Sequence, residues 1–199
     1  MGTAYIAFGG TPATDPTPKI DHFCALVKNY KPDEMRAAVE KAGITMGTGR
    51  LGMPTDDDGI RLQLLGVPGG LARTIIPSTR ITTDDAAVAA VGLDHIALAV
   101  SDLQRASAHY AKFFGPPSTK KAEQISFQIV NTRLLLEPVA GGAKPAIQRL
   151  SFRVAGFDRK AVAAKLQKFQ VETTAAQGDH GLRFRDLNGF TIELAGQPR

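Results

Sequence analysis

The stretch Gly92-Leu93-Asp94-His95-Ile96-Ala97-Leu98-Ala99-Val100-Ser101-Asp102-Leu103 sets small or polar residues against large apolar ones and then runs into a pair of helix-capping residues. Residues two apart on a strand share a face, so His95, Ala97 and Ala99 should line one side and Ile96, Leu98 and Val100 the other. Ser101 or Asp102 suits the N-cap of a following helix, whose apolar stripe is Leu103, Ala106, Tyr110 and Phe113 and whose stop is Gly115-Pro116-Pro117. The apolar stripe should pack on the sheet, leaving the polar strand face for other work.

The same order of events occurs twice more. One copy opens at Ile20-Asp21-His22-Phe23-Cys24-Ala25-Leu26-Val27 and closes at Asp58-Gly59-Ile60-Arg61-Leu62-Gln63-Leu64. Another opens at Ile147-Gln148-Arg149-Leu150-Ser151-Phe152-Arg153-Val154 and closes at Asn188-Gly189-Phe190-Thr191-Ile192-Glu193-Leu194, while the central copy closes at Thr132-Arg133-Leu134-Leu135-Leu136-Glu137. His22 to Gln63, His95 to Glu137 and Arg149 to Glu193 are separated by 41, 42 and 44 residues, a regularity that marks an internal repeat. The first copy has a helix starting at Pro32-Asp33-Glu34, with Met35, Val39 and Ala42 on one face and Gly43 as its end. The last copy has Asp158 as a cap and Val162, Leu166 and Phe169 at helical spacing. Asp186-Leu187-Asn188-Gly189 reads as a hairpin turn.

Gly66 to Val91 is rich in Pro, Gly, Ser, Thr and Asp and reads as a linker. Gly2-Thr3-Ala4-Tyr5-Ile6-Ala7-Phe8 parallels the closing strand of the central copy. The expected organisation is therefore 1–10 as the last strand of an otherwise missing upstream module, 11–65 as a first module, 66–91 as linker, and 92–199 as two paired modules. The first module alone would expose an apolar face and a sheet edge, which calls for a homodimer partner or the missing upstream module.

Composition narrows the function classes. With 199 residues, 43% of them hydrophobic, the chain can bury a substantial core. No apolar run approaches the roughly 18 residues of a membrane span, since Ala86 to Val100 is broken by Asp94 and His95. The N-terminus lacks the pattern of a secretory signal, so localisation is unknown and cytoplasmic only by default. The formal charge of +5 comes from dispersed Lys and Arg, which argues against nucleic acid and for small anionic molecules. The lone Cys24 excludes an intramolecular disulfide and reads as a small packing residue.

The opening phrase around His95 and the closing phrase Phe184-Arg185-Asp186-Leu187-Asn188-Gly189-Phe190-Thr191-Ile192-Glu193-Leu194 resemble the signatures of the vicinal oxygen chelate superfamily, which includes glyoxalases, bleomycin-resistance proteins and extradiol dioxygenases. Asp57-Asp58-Gly59-Ile60-Arg61-Leu62-Gln63-Leu64 is a variant of the closing phrase. The resemblance implies an α+β fold of repeated β-α-β-β-β modules, pairing into cup-shaped, partly open mixed sheets with helices outside. It also implies a cup in which His or Gln, His, and Glu hold one divalent metal (Fe, Mn, Zn, Ni or Co) with positions left for an oxygen-rich substrate. Mapped here, His95 and Glu193 are the implied metal ligands, but Arg149 stands where the second His belongs, and a guanidinium has no lone pair to give. Arg149 should instead pair with Glu193 or grip an anion, making Arg149, His95 and Glu193 the candidate ligand-binding set. His180 is a substitute metal ligand by position, and His22 with Gln63 would form a site only with an upstream module. Glu137, just before Pro138, reads as a solvated rim residue, and Tyr110 as helix core. The functions left open are a metal-dependent dioxygenase, isomerase or transferase, a non-catalytic protein that sequesters a small molecule, and a degenerate structural module, with metal and no metal equally open.

Overall fold

A computed structural model describes residues 17–47, 53–66, 88–176 and 181–196. Its elements are β1 (His22–Val27), α1 (Pro32–Lys41), β2 (Arg61–Gly66), β3 (Ala90–Val100), α2 (Leu103–Phe114), β4 (Thr119–Lys121), β5 (Gln124–Ile129), β6 (Thr132–Pro138), β7 (Ala146–Val154), α3 (Arg159–Gln167), β8 (Thr174–Ala175), β9 (Gly181–Arg185) and β10 (Thr191–Gly196). The order β-α-β-β-β runs complete from β3 to β6 and again from β7 to β10. In the first unit β1, α1 and β2 are present, and two isolated bridges, Met46 with Pro54 and Thr55 with Arg61, lie between α1 and β2 or on β2 itself.

The two complete units form one open mixed sheet in the order β4-β5-β6-β3-β7-β10-β9-β8. Each opening strand pairs parallel with its own closing strand, β3 with β6 and β7 with β10, while β3 and β7 join the halves in antiparallel register. β1 and β2 repeat the parallel pairing as a separate two-stranded sheet, with Cys24 opposite Gln63. This is the expected α+β class.

Helix signals fall where the sequence places them. Asp102, rather than Ser101, caps α2 by accepting hydrogen bonds from the Gln104 and Arg105 amides at 2.9 Å. Asp158 does the same for Ala161 at 2.8 Å at the start of α3. Gly115 ends α2 in the left-handed region at φ 77°, which suits a residue without a Cβ. One stripe residue departs from expectation: α3 ends at Gln167, so Phe169 falls past its last turn and is 62% exposed instead of packing on the sheet.

The apolar faces meet as the alternation requires. Leu98, Val100, Ile125, Phe127, Leu134 and Leu136 pack with Ala106 and Tyr110 of α2, and Leu182, Leu194 and Val154 pack with Val162 and Leu166 of α3. Phe23, Leu62 and Leu64 of the first unit, with Val39 of α1, join the former cluster, and the Phe23 ring lies 6.1 Å from Tyr110. The first unit's apolar face is thus buried within the chain by α2, which removes that face from the argument for an outside partner. The implied strand at 1–10 and most of the linker at 66–91 lie outside the described residues. No helix among the described residues is long and apolar enough to cross a membrane.

Candidate functional site

Away from the helices, the middle of the large sheet presents charged side chains that are almost fully buried: Asp94, His95, Arg149 and Glu193 are each exposed by less than a tenth. Strand alternation brings part of this set together. His95 and Glu193 both sit opposite Ser151 across β7, and Arg149 sits opposite Ala97 and Thr191. Two register irregularities bring the rest. Between Leu93 and His95 the pairing with β7 advances by one residue on β7 and two on β3, leaving Asp94 as an extra residue, and between Ala97 and Leu98 it leaves Gln148 as an extra residue on β7. A bulge lets consecutive side chains reach the same side of a sheet. Asp94 and His95 do so, and so do Gln148 and Arg149.

The contacts form a chain of alternating charge. His95 Nδ1 donates to Asp94 Oδ2 at 2.9 Å, and its Nε2 lies 3.2 Å from Glu193 Oε2. Arg149 Nε lies 3.2 Å from the other oxygen of Glu193, while its Nη1 and Nη2 donate to the two oxygens of Glu137 at 3.0 and 2.8 Å. The two 3.2 Å approaches are ion-pair contacts without hydrogen-bond alignment. Glu193 also accepts from Arg183 Nε at 2.9 Å, Asp94 from Arg133, and Glu137 from Gln124 at 2.9 Å and Gln148 at 2.7 Å.

Electrostatics follow from these partners. Burial by itself would raise Asp94 and Glu193, but His95 and Arg133 for the former, and His95, Arg183 and Arg149 for the latter, outweigh it and hold each carboxyl at about 2. Burial would lower His95, yet Asp94 and Glu193 raise it on balance. Burial likewise opposes ionisation of Glu137, and Arg149 reverses the sign. Depressed carboxylates add stability that is complete above their unfolded values near 4 and lost as pH falls through about 2, on the order of 2 to 3 kcal/mol for each. The raised His95 contributes in the opposite sense, fully below its unfolded value and lost as pH rises through the folded one. Urea unfolding of the protein should therefore show a falling free energy on acidification below about pH 4, and Glu193→Gln should flatten that limb. An unchanged limb in this variant would mean that Glu193 is not one of the carboxylates responsible.

Several expectations change in this light. Glu137 is not a solvated rim residue: its side chain is 16% exposed because the Arg149 fork and two glutamines hold it. Arg149 does pair with Glu193, but its two-bond partner is Glu137. Asp94 and Gln148 were not singled out by strict alternation, which has no place for bulges, and Arg183 was missed although it sits in regular register opposite Glu193 on β9. In the first unit, His22 faces Asp21 at 2.8 Å, and it shares a strand face with Cys24 and Gln63. Burial pushes the Cys24 thiol up to about 11, in keeping with a packing role. His180 lies outside the described residues. Beside the network, a cavity of about 380 Å³ is lined by Lys19, Ile147, Gln148, Arg185, Phe190 and Thr191, among others.

No family model matches the chain, and no curated protein sequence matches it. Among solved structures it is similar to a Mn(II)-bound glyoxalase from Novosphingobium aromaticivorans, with TM-score 0.64, 15% identity and 91% of this chain covered. The chain has the vicinal oxygen chelate fold. It spans 64% of that glyoxalase's length. It is also similar, over about half its length, to methylmalonyl-CoA epimerase from Mycobacterium tuberculosis (TM-score 0.45, 20% identity, 57% of this chain and 93% of that one). An extradiol ring-cleaving dioxygenase from B. fuscum gives TM-score 0.46 and 20% identity, with 56% of this chain and 34% of that one covered.

The fold raises the question of a divalent metal between His95 and Glu193, and the donor set does not fit one. His95, with Nδ1 donating to Asp94 and Nε2 beside Glu193, is oriented as a ligating imidazole would be; the misfit lies at Arg149, whose guanidinium has no lone pair and is held on Glu137 and beside Glu193. The buried polar atoms lacking aligned partners, His95 Nε2, Arg149 Nε and Ser151 Oγ, include a guanidinium N–H, which can only donate and so asks for an acceptor. No group of three or more His, Cys, Asp or Glu side chains is arranged for a metal among the described residues.

Proposed function

We propose that this chain is a glyoxalase, bleomycin-resistance and dioxygenase-like protein that binds a small anionic or oxygen-rich molecule against the polar face of its large sheet. His95, Arg149 and Glu193 form the floor of that site, and the adjoining cavity receives the body of the ligand. The observation that carries this is charge. On β3, β6, β7, β9 and β10 this face sets Arg133, Arg149, Arg153, Arg183 and Arg185 against Asp94, Glu137 and Glu193, an excess of guanidinium before His95 is counted. Such an excess attracts anions, and Arg185, exposed beside the cavity with Nη1 on the Gly189 carbonyl, offers its remaining N–H groups to a carboxylate or phosphate. Arg185, Lys19 and Gln148 bring polar contacts to the cavity, and Ile147 and Phe190 give it apolar walls.

Between metal-dependent catalysis and metal-free binding, the donor arrangement supports binding. The glyoxalase's Mn(II) does not transfer to this chain, because Arg149 is paired where a ligand imidazole would have to stand. Titration calorimetry with small mono- and dicarboxylates, phosphates and their uncharged amides tests the reading. Anions should bind and their amides should not, with affinity falling as salt rises. Arg185→Gln, at an exposed position, should weaken binding by about tenfold, the value of one lost charged hydrogen bond. Equal binding of charged and uncharged members, or none by any, would remove the proposal.

A further inference from the structure

A buried carboxylate, Glu193, and a half-buried one, Glu137, share one face of the sheet, and the identity of the cation between them is a question separate from which ligand the cup accepts. Glu137 comes from the end of β6 and Glu193 from β10, on either side of the joined central strands β3 and β7. Arg149 projects between them from β7. Its Nη1 and Nη2 donate to Glu137, and its Nε lies 3.2 Å from Glu193 as an ion-pair contact. The planar fork matches a carboxylate on one edge and leaves Nε for a second, a geometry that a lysine or a histidine cannot reproduce. Gln148, placed by the bulge, and Gln124 complete the shell around Glu137, while Arg183 and His95 complete that around Glu193.

We infer that the Arg149 guanidinium is the resident cation of this centre, bridging Glu137 and Glu193 in the place where a divalent metal would need their oxygens, so that the protein folds and binds its ligand without metal. A metal brought to the same carboxylates would have to displace a bidentate pair and then sit beside a permanent positive charge. The inference rests on the contacts around Arg149 and holds whichever ligand the neighbouring cavity takes. It also means that one substitution separates this centre from a metal site. Arg149→His removes the built-in charge, frees Glu137 and Glu193, and adds an imidazole on the strand next to His95.

The test uses the full chain, loaded with Mn²⁺ or Zn²⁺ alone, with metal content measured after dialysis, affinity by titration calorimetry, and folding by circular dichroism. The unaltered protein should retain no stoichiometric metal and should show the same thermal midpoint with metal and with chelator. Arg149→His should bind one equivalent with affinity raised on the order of 100-fold, as expected when a further ligand and its orienting partners are supplied. His95→Ala added to Arg149→His should remove most of that gain. Stoichiometric metal in the unaltered protein that His95→Ala abolishes would overturn the inference, and so would a folded Arg149→His that gains no affinity. If Arg149→His fails to fold, the unaltered protein decides through its metal content and its response to chelator. None of these readings depends on anion titrations, so failure here is distinguishable from failure of the binding proposal.

Discussion

Arg149→Ala is expected to lower the unfolding free energy by about 3 to 5 kcal/mol, the range found when one partner of a buried ion pair is removed. The substitution leaves Glu137 with only the neutral amides of Gln124 and Gln148, and Glu193 with His95 and Arg183, in a region where Glu193 is exposed by only 6%. An unneutralised carboxylate there must either stay charged at a desolvation cost or take up a proton, and both lower stability at neutral pH. The partner change discriminates between charge and packing. Glu137→Gln added to Arg149→Ala should recover roughly half of the loss, because a neutral amide removes the stranded charge while the cavity left by the guanidinium remains. Urea unfolding monitored by circular dichroism measures all three proteins. A loss below about 1 kcal/mol for Arg149→Ala, in the range typical of exposed ion pairs, would show that water reaches the pair and screens it.

How much of this centre was legible in the sequence depends on which rule each residue obeys. His95, Arg149 and Glu193 were picked out by the resemblance of their opening and closing phrases, with strand alternation as a check on their shared face, and that alternation is regular around Ser151. Asp94 and Gln148 were not, since a bulge is a one-residue excess in one strand relative to its partner and leaves no periodic trace in the strand that carries it. Glu137 was misplaced for a related reason. Its neighbour Pro138 suggested an edge, but in the parallel register Glu137 sits beside Ala99, where Arg149 can reach it diagonally from β7. The helices were simpler. Their caps Asp102 and Asp158 are local signals, satisfied by backbone amides two or three residues away. Phe169 kept the helical period of α3 but fell beyond its end, because spacing alone does not say where the last turn stops. The burial of the first unit against α2 was the least legible feature, depending on which faces of different units meet rather than on any pattern within one unit.

That contact gives the second large effect. Tyr110 is fully buried between the first unit and the large sheet, with Phe23 on one side and Phe114 stacked at 6.4 Å on another, and its hydroxyl donates to Asp56 Oδ2 at 2.8 Å. Tyr110→Ala is expected to cost about 3 to 5 kcal/mol from lost burial and the cavity left behind. Tyr110→Phe keeps the ring and should cost about 1 to 3 kcal/mol, because Asp56, itself buried, loses its hydroxyl donor. Asp56→Asn should behave differently. The other oxygen of Asp56 accepts from the amides of Asp58 and Ile60 at 3.0 and 2.8 Å, and an asparagine oxygen can keep both bonds while its amide faces the phenol. Burial raises the Asp56 carboxyl in the folded protein despite its hydrogen bonds, so its stabilising contribution is greatest below the unfolded value and is lost as pH rises through the folded one. At neutral pH, Asp56→Asn should therefore match or exceed the unaltered protein in stability, and its stability should no longer fall over that interval. Urea unfolding at several pH values between about 4 and 7 measures both effects. If Asp56→Asn were instead as unstable as Tyr110→Ala, the carboxylate form of Asp56, bonded to Tyr110 and to the Asp58 and Ile60 amides, would be what joins the first unit to α2.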